Sequence, residues 1–274
     1  MPELPEVEHV VRALRGTIVG RRILAAQLKL KRIAPGISLK AFDKQLRDAQ
    51  VVTVARRGKY ILIELNSGCT LVTHLRMTGK FLSVHAEDPL PPYAHVVFHL
   101  DDETRLVFCD MRQFGRMTIV KRNGALKELL HLAPEPLSDQ FSVEYLQNVL
   151  RRSKRSMKQL LLDQTRVLGL GNIYAAEVLF LAGINPLKEA NSLSRRRSVR
   201  LHAAIRQILA EAIESGSTLR IDLADGNASY FGSSERFWRV YEREMEPCVN
   251  CGTKIRRIVH GGRSTYYCPR CQSH

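Results

Sequence analysis

Two Cys-x-x-Cys pairs near the C-terminus constrain this chain more than any other feature. Cys248 and Cys251 form the first pair, Cys268 and Cys271 the second, with sixteen residues between them. Each pair can place two thiolates on one tetrahedral ion, and the gap is long enough for a β-hairpin. Val259-His260-Gly261-Gly262-Arg263 supplies its turn. The spacing predicts one structural zinc ion per chain. Four thiolates leave no open coordination position, so the metal folds the tail and does no chemistry. Lys254, Arg256, Arg257, Arg263 and Arg270 stand against Glu246, which makes the finger basic and suited to phosphates. The other two cysteines, Cys69 and Cys109, lie in apolar strand-like runs and read as buried thiols.

The full chain has 274 residues, enough for about two domains with real cores. Lys and Arg number 42 against 27 Asp and Glu, a formal charge of +15. That excess favours a polyanionic partner, DNA or RNA first and an anionic membrane next. No run reaches the length of a transmembrane helix and no apolar signal region opens the chain, so the membrane reading falls and the cytoplasm is the expected compartment.

Patterning divides the chain. Val7, Val10, Val11, Leu14 and Ile18 recur at helical spacing, and Gly20 is a stop. From Ile23 to Val120 the pattern is short strands: Val51 to Val54, Tyr60 to Leu65, Thr70 to Leu75, His95 to Leu100, Arg105 to Cys109 and Met117 to Val120. Such spacing predicts an antiparallel sandwich. Pro134-Glu135-Pro136 reads as a linker, after which the periodicity is helical over Val143 to Leu150, Ser156 to Leu162, Ile173 to Leu181 and Leu201 to Ile213. The second and third of these flank a glycine turn, Gly169-Leu170-Gly171-Asn172. This is either a DNA-backbone-binding helical pair or a plain helical hairpin. Residues 215–234 read as a long polar loop, more often functional than not.

The start of the chain carries chemistry. Pro2 follows Met1, a context in which the initiator is normally removed, leaving a free secondary amine. An α-amino group titrates near pH ~8, far below a lysine, and can attack an aldehyde-level carbon to form an iminium. Glu3 is placed to give or take a proton at the same centre. The same residues also suit an ordinary helix start, with Pro5 in the first turn and Glu6 and Glu8 at the positive end of the dipole.

Taken in order, these features resemble the formamidopyrimidine-DNA glycosylase family across essentially the whole chain. The carriers are Met1-Pro2-Glu3-Leu4-Pro5-Glu6-Val7-Glu8, Arg56-Arg57-Gly58-Lys59-Tyr60, His74-Leu75-Arg76-Met77-Thr78-Gly79, Asp110-Met111-Arg112-Gln113-Phe114-Gly115, Gly171-Asn172-Ile173-Tyr174 and the finger. The resemblance implies an α+β fold. Residues 1–133 would be an N-terminal catalytic β-sandwich with its helix. Residues 134–243 would be a helical domain with a helix-two-turn-helix and a lesion-capping loop over 215–234, and residues 244–274 the zinc finger. It implies a monomer acting on double-stranded DNA, excising oxidised purines and nicking the abasic site. In that scheme Pro2 attacks the sugar C1′, Glu3 assists ring opening, Lys59 acts in β-elimination, and Arg263 aids δ-elimination and binds phosphate. Met77 fills the gap left by the extruded base, Arg112 faces the orphaned cytosine and Phe114 wedges the base step; His74, His95, Lys154 and Asn172 contact DNA.

Leu4 and the full loop from Ser217 to Phe231 favour oxidised purines over the oxidised pyrimidines of the sister family, endonuclease VIII. A non-catalytic zinc-finger DNA-binding protein is the rival of another class, and it leaves Pro2, Glu3 and Lys59 unexplained. Two positions depart from the pattern: Ser229 before Tyr230-Phe231, and Met245 before Pro247-Cys248, each where relatives usually or often have glycine.

Overall fold

The structure, a computed structural model, describes residues 1–121, 127–215, 223–224 and 238–273. They fall into two compact units, Met1–Leu130 with Leu223 and Ala224, and His131–Ser215 with residues 238–273. Of the expected capping loop, including Ser229, all but Ser215, Leu223 and Ala224 lies outside the described residues. Among the described residues no helix is long and apolar enough to cross a membrane.

The first unit opens with helix α1 (Leu4–Ile18). Pro5 needs no N–H partner in the first turn, and Glu3 and Glu6 close a reciprocal capping box, the Glu3 N–H donating to Glu6 Oε2 at 2.9 Å. Val7, Val10, Val11, Leu14 and Ile18 form the buried stripe, each at most 1% exposed. Burial on this scale contributes roughly 1.5–3 kcal/mol per large aliphatic side chain.

The stripe packs into a core built from two antiparallel sheets. One has the order β1 (Ile23–Leu28), β6 (Ala94–Leu100), β7 (Thr104–Asp110), β5 (Gly79–His85); the other β2 (Val51–Arg57), β3 (Tyr60–Leu65), β4 (Thr70–His74), β8 (Arg116–Val120). Helix α2 (Leu39–Leu46), capped by Ser38, and a short helix α3 (Lys127–Leu130) complete the unit.

The structure departs from the sequence reading in several places. Strands β1 and β5 and helices α2 and α3 lie where no element is predicted. Cys69 sits half-buried in the turn before β4, not inside a strand. Cys109 is buried in β7, and burial pushes its thiol up to about 11, which leaves it inert near neutral pH.

The second unit contains α4 (Val143–Arg151), α5 (Met157–Leu162), α6 (Asn172–Leu181) and α7 (Arg195–Ser215), then the hairpin β9 (Arg256–His260) and β10 (Arg263–Tyr267). Helix α6 is buried on all sides from Tyr174 to Phe180, with α5, α7 and β10 packed about it. Its Ala176 and Phe180 share a cluster with Val240, Cys248, Ile255 and Cys268, so the finger is seated on the helix.

Candidate active site and nucleic-acid interface

The capping box fixes the chemistry of the N-terminus. Glu3 is the N-cap of α1 and only 2% exposed, and Pro2 immediately before it is buried. Met1 heads the chain, so the Pro2 nitrogen is an amide and the terminal amine belongs to Met1. That amine is held below its ordinary value, first by burial and then by the nearby charges of Lys59 and Arg112, against the opposing carboxylates of Glu3 and Glu6. Four of the residues that matter, contributed by α1, the β2–β3 turn and the β7–β8 loop, therefore surround the start of the chain.

Lys59 reaches this place because β2 and β3 pair Arg57 with Tyr60, leaving Gly58 and Lys59 as a two-residue turn. Gly58 takes φ +56°, a conformation glycine adopts freely, and Lys59 is 5% exposed. Arg56, one step back, is paired with Glu8 of α1 at 2.9 Å, and Arg12 reaches the other oxygen at 3.2 Å. Burial pushes the Glu8 carboxyl up, but these two guanidiniums bring it below the usual carboxylate range overall.

His74 ends β4 opposite Tyr60, whose ring meets it edge-on at 4.7 Å. Its Nδ1 accepts the Arg76 N–H at 3.0 Å, so the proton of the neutral ring sits on Nε2, where it can be donated to a phosphate. Burial, then Arg76 and Lys59, push its pKa down to about 3, so the ring is neutral at pH 7.

The loops after β4 and β7 carry Met77, Arg112 and Phe114, and one carboxylate holds both. Asp110 is fully buried; its side chain accepts from the Thr78 hydroxyl, from the Arg112 N–H at 3.2 Å and from the Gly115 N–H at 2.6 Å. Thr78 Oγ1 in turn accepts from the same Arg112 N–H at 3.0 Å. A β-carbon at Gly79 would lie 2.4 Å from the Leu75 carbonyl oxygen, and one at Gly115 2.6 Å from the Phe108 ring, so both glycines are required by space. The result is an outward-facing trio. Met77 is 40% and Phe114 38% exposed, Arg112 is exposed, and its guanidinium stands 5.0 Å from the Phe114 ring centre. Met77 and Phe114 are thus apolar side chains kept out of the core. His95 donates from Nε2 to the Asp110 carbonyl at 2.9 Å, which ties it to the same loop. Sequence reasoning passed over Asp110 and Thr78 as functional residues; a carboxylate ending a strand five residues before a tightly packed glycine was the available signal.

In the second unit, Asn172 opens α6 behind Gly171 and donates from Nδ2 to the Ser264 carbonyl at 3.1 Å. The same carbonyl accepts from Lys158 Nζ at 2.6 Å, and Lys158 also donates to Thr265 Oγ1 at 2.6 Å. Lys158, 1% exposed, was not picked out from the sequence. It ties α5 to the strand that Arg263 begins. Arg263 itself is exposed beside the Gly261-Gly262 turn, whose φ values are +58° and +72°. Lys154 is exposed on a recess of about 430 Å³ lined by Arg152, Arg155, Arg166 and Asp163, an anion-favouring surface. Glu177, also unforeseen, accepts three backbone N–H groups of Arg239, Val240 and Tyr241 and so anchors the approach to the finger.

The four finger thiols converge, with all Sγ atoms within 4.8 Å of one another. Contacts of 3.8 Å between Cys248 and Cys271 and 3.5 Å between Cys251 and Cys268 are far too long for disulfides. Backbone N–H groups of Asn250 and Cys271 point at Cys248 and Cys268 sulfurs, each at 3.4 Å. Hydrogen bonds from Thr253 bring Cys251 down to about 6, whereas burial and then its thiol neighbours push Cys271 far up. Thiols this close can all ionise only around a cation, and the donor set fits one tetrahedral zinc. Met245, at the entrance to the finger, takes φ +67°, a left-handed conformation that glycine adopts freely.

Family comparison agrees with this geometry along the chain. The profile described as formamidopyrimidine-DNA glycosylase N-terminal domain matches residues 1–117, the glycosylase H2TH domain residues 132–222, and the zinc finger found in FPG and IleRS residues 246–273. A formamidopyrimidine-DNA glycosylase from Pelotomaculum thermopropionicum is 44% identical over 99% of both chains. One from Bacillus subtilis is 41% identical over 100% of this chain and 99% of its own. Among solved structures, Lactococcus lactis FPG in complex with FAPY-dG-containing DNA superposes with a TM-score of 0.90 at 34% identity, covering 99% of this chain and 100% of that one. MutM in complex with DNA containing carbocyclic 8-oxo-G gives 0.91 at 34% identity, covering 100% of both. This chain belongs to the formamidopyrimidine-DNA glycosylase family.

Proposed function

We propose that the chain, once Met1 is removed, excises oxidised purines such as 8-oxoguanine and formamidopyrimidines from duplex DNA and then nicks the abasic site. The Pro2 amine attacks the deoxyribose C1′, the damaged base leaves, and an imine forms between nitrogen and sugar. Glu3 handles the proton at the ring oxygen. The imine acidifies the C2′ hydrogen; Lys59 assists its loss in β-elimination, and Arg263 the δ-elimination that follows. Met77 fills the gap left by the extruded base, Arg112 faces the unpaired cytosine and Phe114 wedges the base step, while His74, His95, Lys154 and Asn172 hold the backbone. Zinc on Cys248, Cys251, Cys268 and Cys271 would fold the finger that presents Arg263. A cytoplasmic, nucleoid-bound location in a bacterial cell goes with this reading.

The observation that carries it is the setting of the N-terminus. A partly buried terminal amine with lowered basicity stands in the field of Glu3, Glu6, Lys59 and Arg112 together, which a DNA-binding module without catalysis gives no reason for. Borohydride added during turnover on an 8-oxoguanine duplex should trap a covalent adduct whose peptide map places the DNA on residue 2. An adduct on Lys59, with Pro2 free, would overturn the mechanism. Faster excision of thymine glycol than of 8-oxoguanine would move the chain's preference to pyrimidines.

A further inference from the structure

We propose that Arg32 is a positioning residue for base extrusion, acting through the ring of Phe114; this rests on the reading of Phe114 as the wedge. The Arg32 guanidinium carbon stands 5.9 Å from the Phe114 ring centre, so among the described residues that ring has two cations within cation–π reach, Arg112 at 5.0 Å being the other. Arg32 arrives from a different part of the chain, the 3-10 turn Lys31–Ile33 between β1 and α2. That turn is a rigid mount. Ile33 and Ala34 are buried in the core at 0% and 1% exposure, and the Ile33 and Ala34 N–H groups close the turn at 3.0 and 3.1 Å. Just before it, the Lys29 N–H bonds to the His95 carbonyl at 2.8 Å.

The loop that carries Phe114 is fixed in its backbone by Asp110, but the ring points outward and is 38% exposed. An exposed ring entering a base step must be held in one orientation, or rotamer freedom is lost on insertion. Arg112 is read as facing the unpaired partner base, a role that draws its guanidinium away from the ring when DNA is engaged. Arg32, exposed beside the same ring, is the cation that can stay.

The test is a double-mutant cycle between Arg32 and Phe114, measured in single turnover on an 8-oxoguanine duplex and on a duplex with a preformed abasic site. R32A should slow excision about two- to fivefold, the size of an exposed cation–π contact, and leave nicking of the abasic site unchanged. R32K, which keeps a cation, should recover most of the loss. In the F114A background R32A should have no further effect. A loss that multiplies with that of F114A, an R32A variant as fast as the parent, or no recovery in R32K overturns the proposal while leaving the wedge reading intact. If F114A itself excises at the parental rate, the wedge reading fails and the role of Arg32 falls with it.

Discussion

Replacement of Asp110 by asparagine isolates the contact that holds both outward loops. The carboxylate is fully buried and accepts from one hydroxyl and two backbone N–H groups, at Thr78, Arg112 and Gly115. Asparagine offers one acceptor oxygen and turns an NH₂ group toward donors. At least one buried N–H loses its partner, and a hydrogen bond to a charged group is worth about 1.5–3 kcal/mol, with a further 1–3 kcal/mol lost for an orphaned group. Adding one of each gives about 2.5–6 kcal/mol, of which relaxation recovers part, so we expect about 3 kcal/mol. In a unit of this size that lowers the melting temperature by on the order of 10 °C, read by calorimetry. Function should split as well. On the roles proposed for Met77, Arg112 and Phe114, excision of 8-oxoguanine should fall at least about tenfold, the equivalent of 1.4 kcal/mol in the barrier, whereas nicking of a preformed abasic site needs no extrusion and should fall less. A melting temperature within a degree of the parent, or equal losses on the two substrates, would refute the assignment of Asp110 as the common anchor.

Three further outcomes follow from other parts of the structure. Elemental analysis should give one zinc per chain, and chelation should remove it together with the circular-dichroism signal of the finger and DNA binding, since metal binding supplies the folding free energy of such modules; a folded, zinc-free finger would contradict this. His74 is neutral in the fold down to about pH 3 but takes a proton below ~6.5 when unfolded, so the unfolded state binds the extra proton and stability falls as pH drops from 6.5 toward 3, by up to about 1.4 kcal/mol per unit; urea titrations of His74→Asn should show a shallower acid limb than the parent. Met245→Gly relieves a left-handed residue worth about 1–2 kcal/mol against a glycine entropy cost of about 0.5–1, so thermal melts should show a neutral to slightly raised midpoint rather than a loss.

What the sequence made legible is what depends on local chemistry. The thiols needed only spacing, since both ligand pairs and the turn between them lie within one short tail. Strands such as Tyr60–Leu65 follow from β-rich runs bounded by turn residues. Helix α2 did not show, because eight residues with Phe42 and Leu46 buried give too few turns for a period to register, and Ser38 was its one marker. Helix α7 begins six residues before the predicted Leu201 because Arg195–Arg200 is too polar to show a stripe. The outward trio was harder for another reason. Methionine and phenylalanine in isolation read as core, and their exposure is set by Asp110 and two glycines that share no local pattern with them. Lys158 and Glu177 belong to the same class, buried charges whose partners lie 106 and 62 residues away.

The capping box leads to a last expectation about pH. Glu6 serves the helix as the third residue of its first turn, bonding the Glu3 N–H, and serves the terminal amine as a carboxylate that raises its basicity. Glu6→Gln keeps an oxygen for the Glu3 N–H while deleting the charge. Burial, Lys59 and Arg112 then lower the amine with only Glu3 opposing them. Imine formation needs the unprotonated amine, so its rate rises with pH through the amine pKa and levels off above it. A lower pKa moves that rise toward acid. Removal of Met1 brings the amine one residue closer to Glu3 and leaves it at the same end of α1, so the direction carries over to Pro2. Borohydride-trapped adduct, measured at early times from pH 5 to 9, should therefore reach half its plateau at lower pH in Glu6→Gln than in the parent. Lys59→Met removes a charge of the opposite sign and should move the same midpoint upward, whatever it does to the later elimination. Midpoints that shift together, or a Glu6→Gln midpoint displaced toward alkali, would mean that the field around the N-terminus does not set the reactivity of the nucleophile.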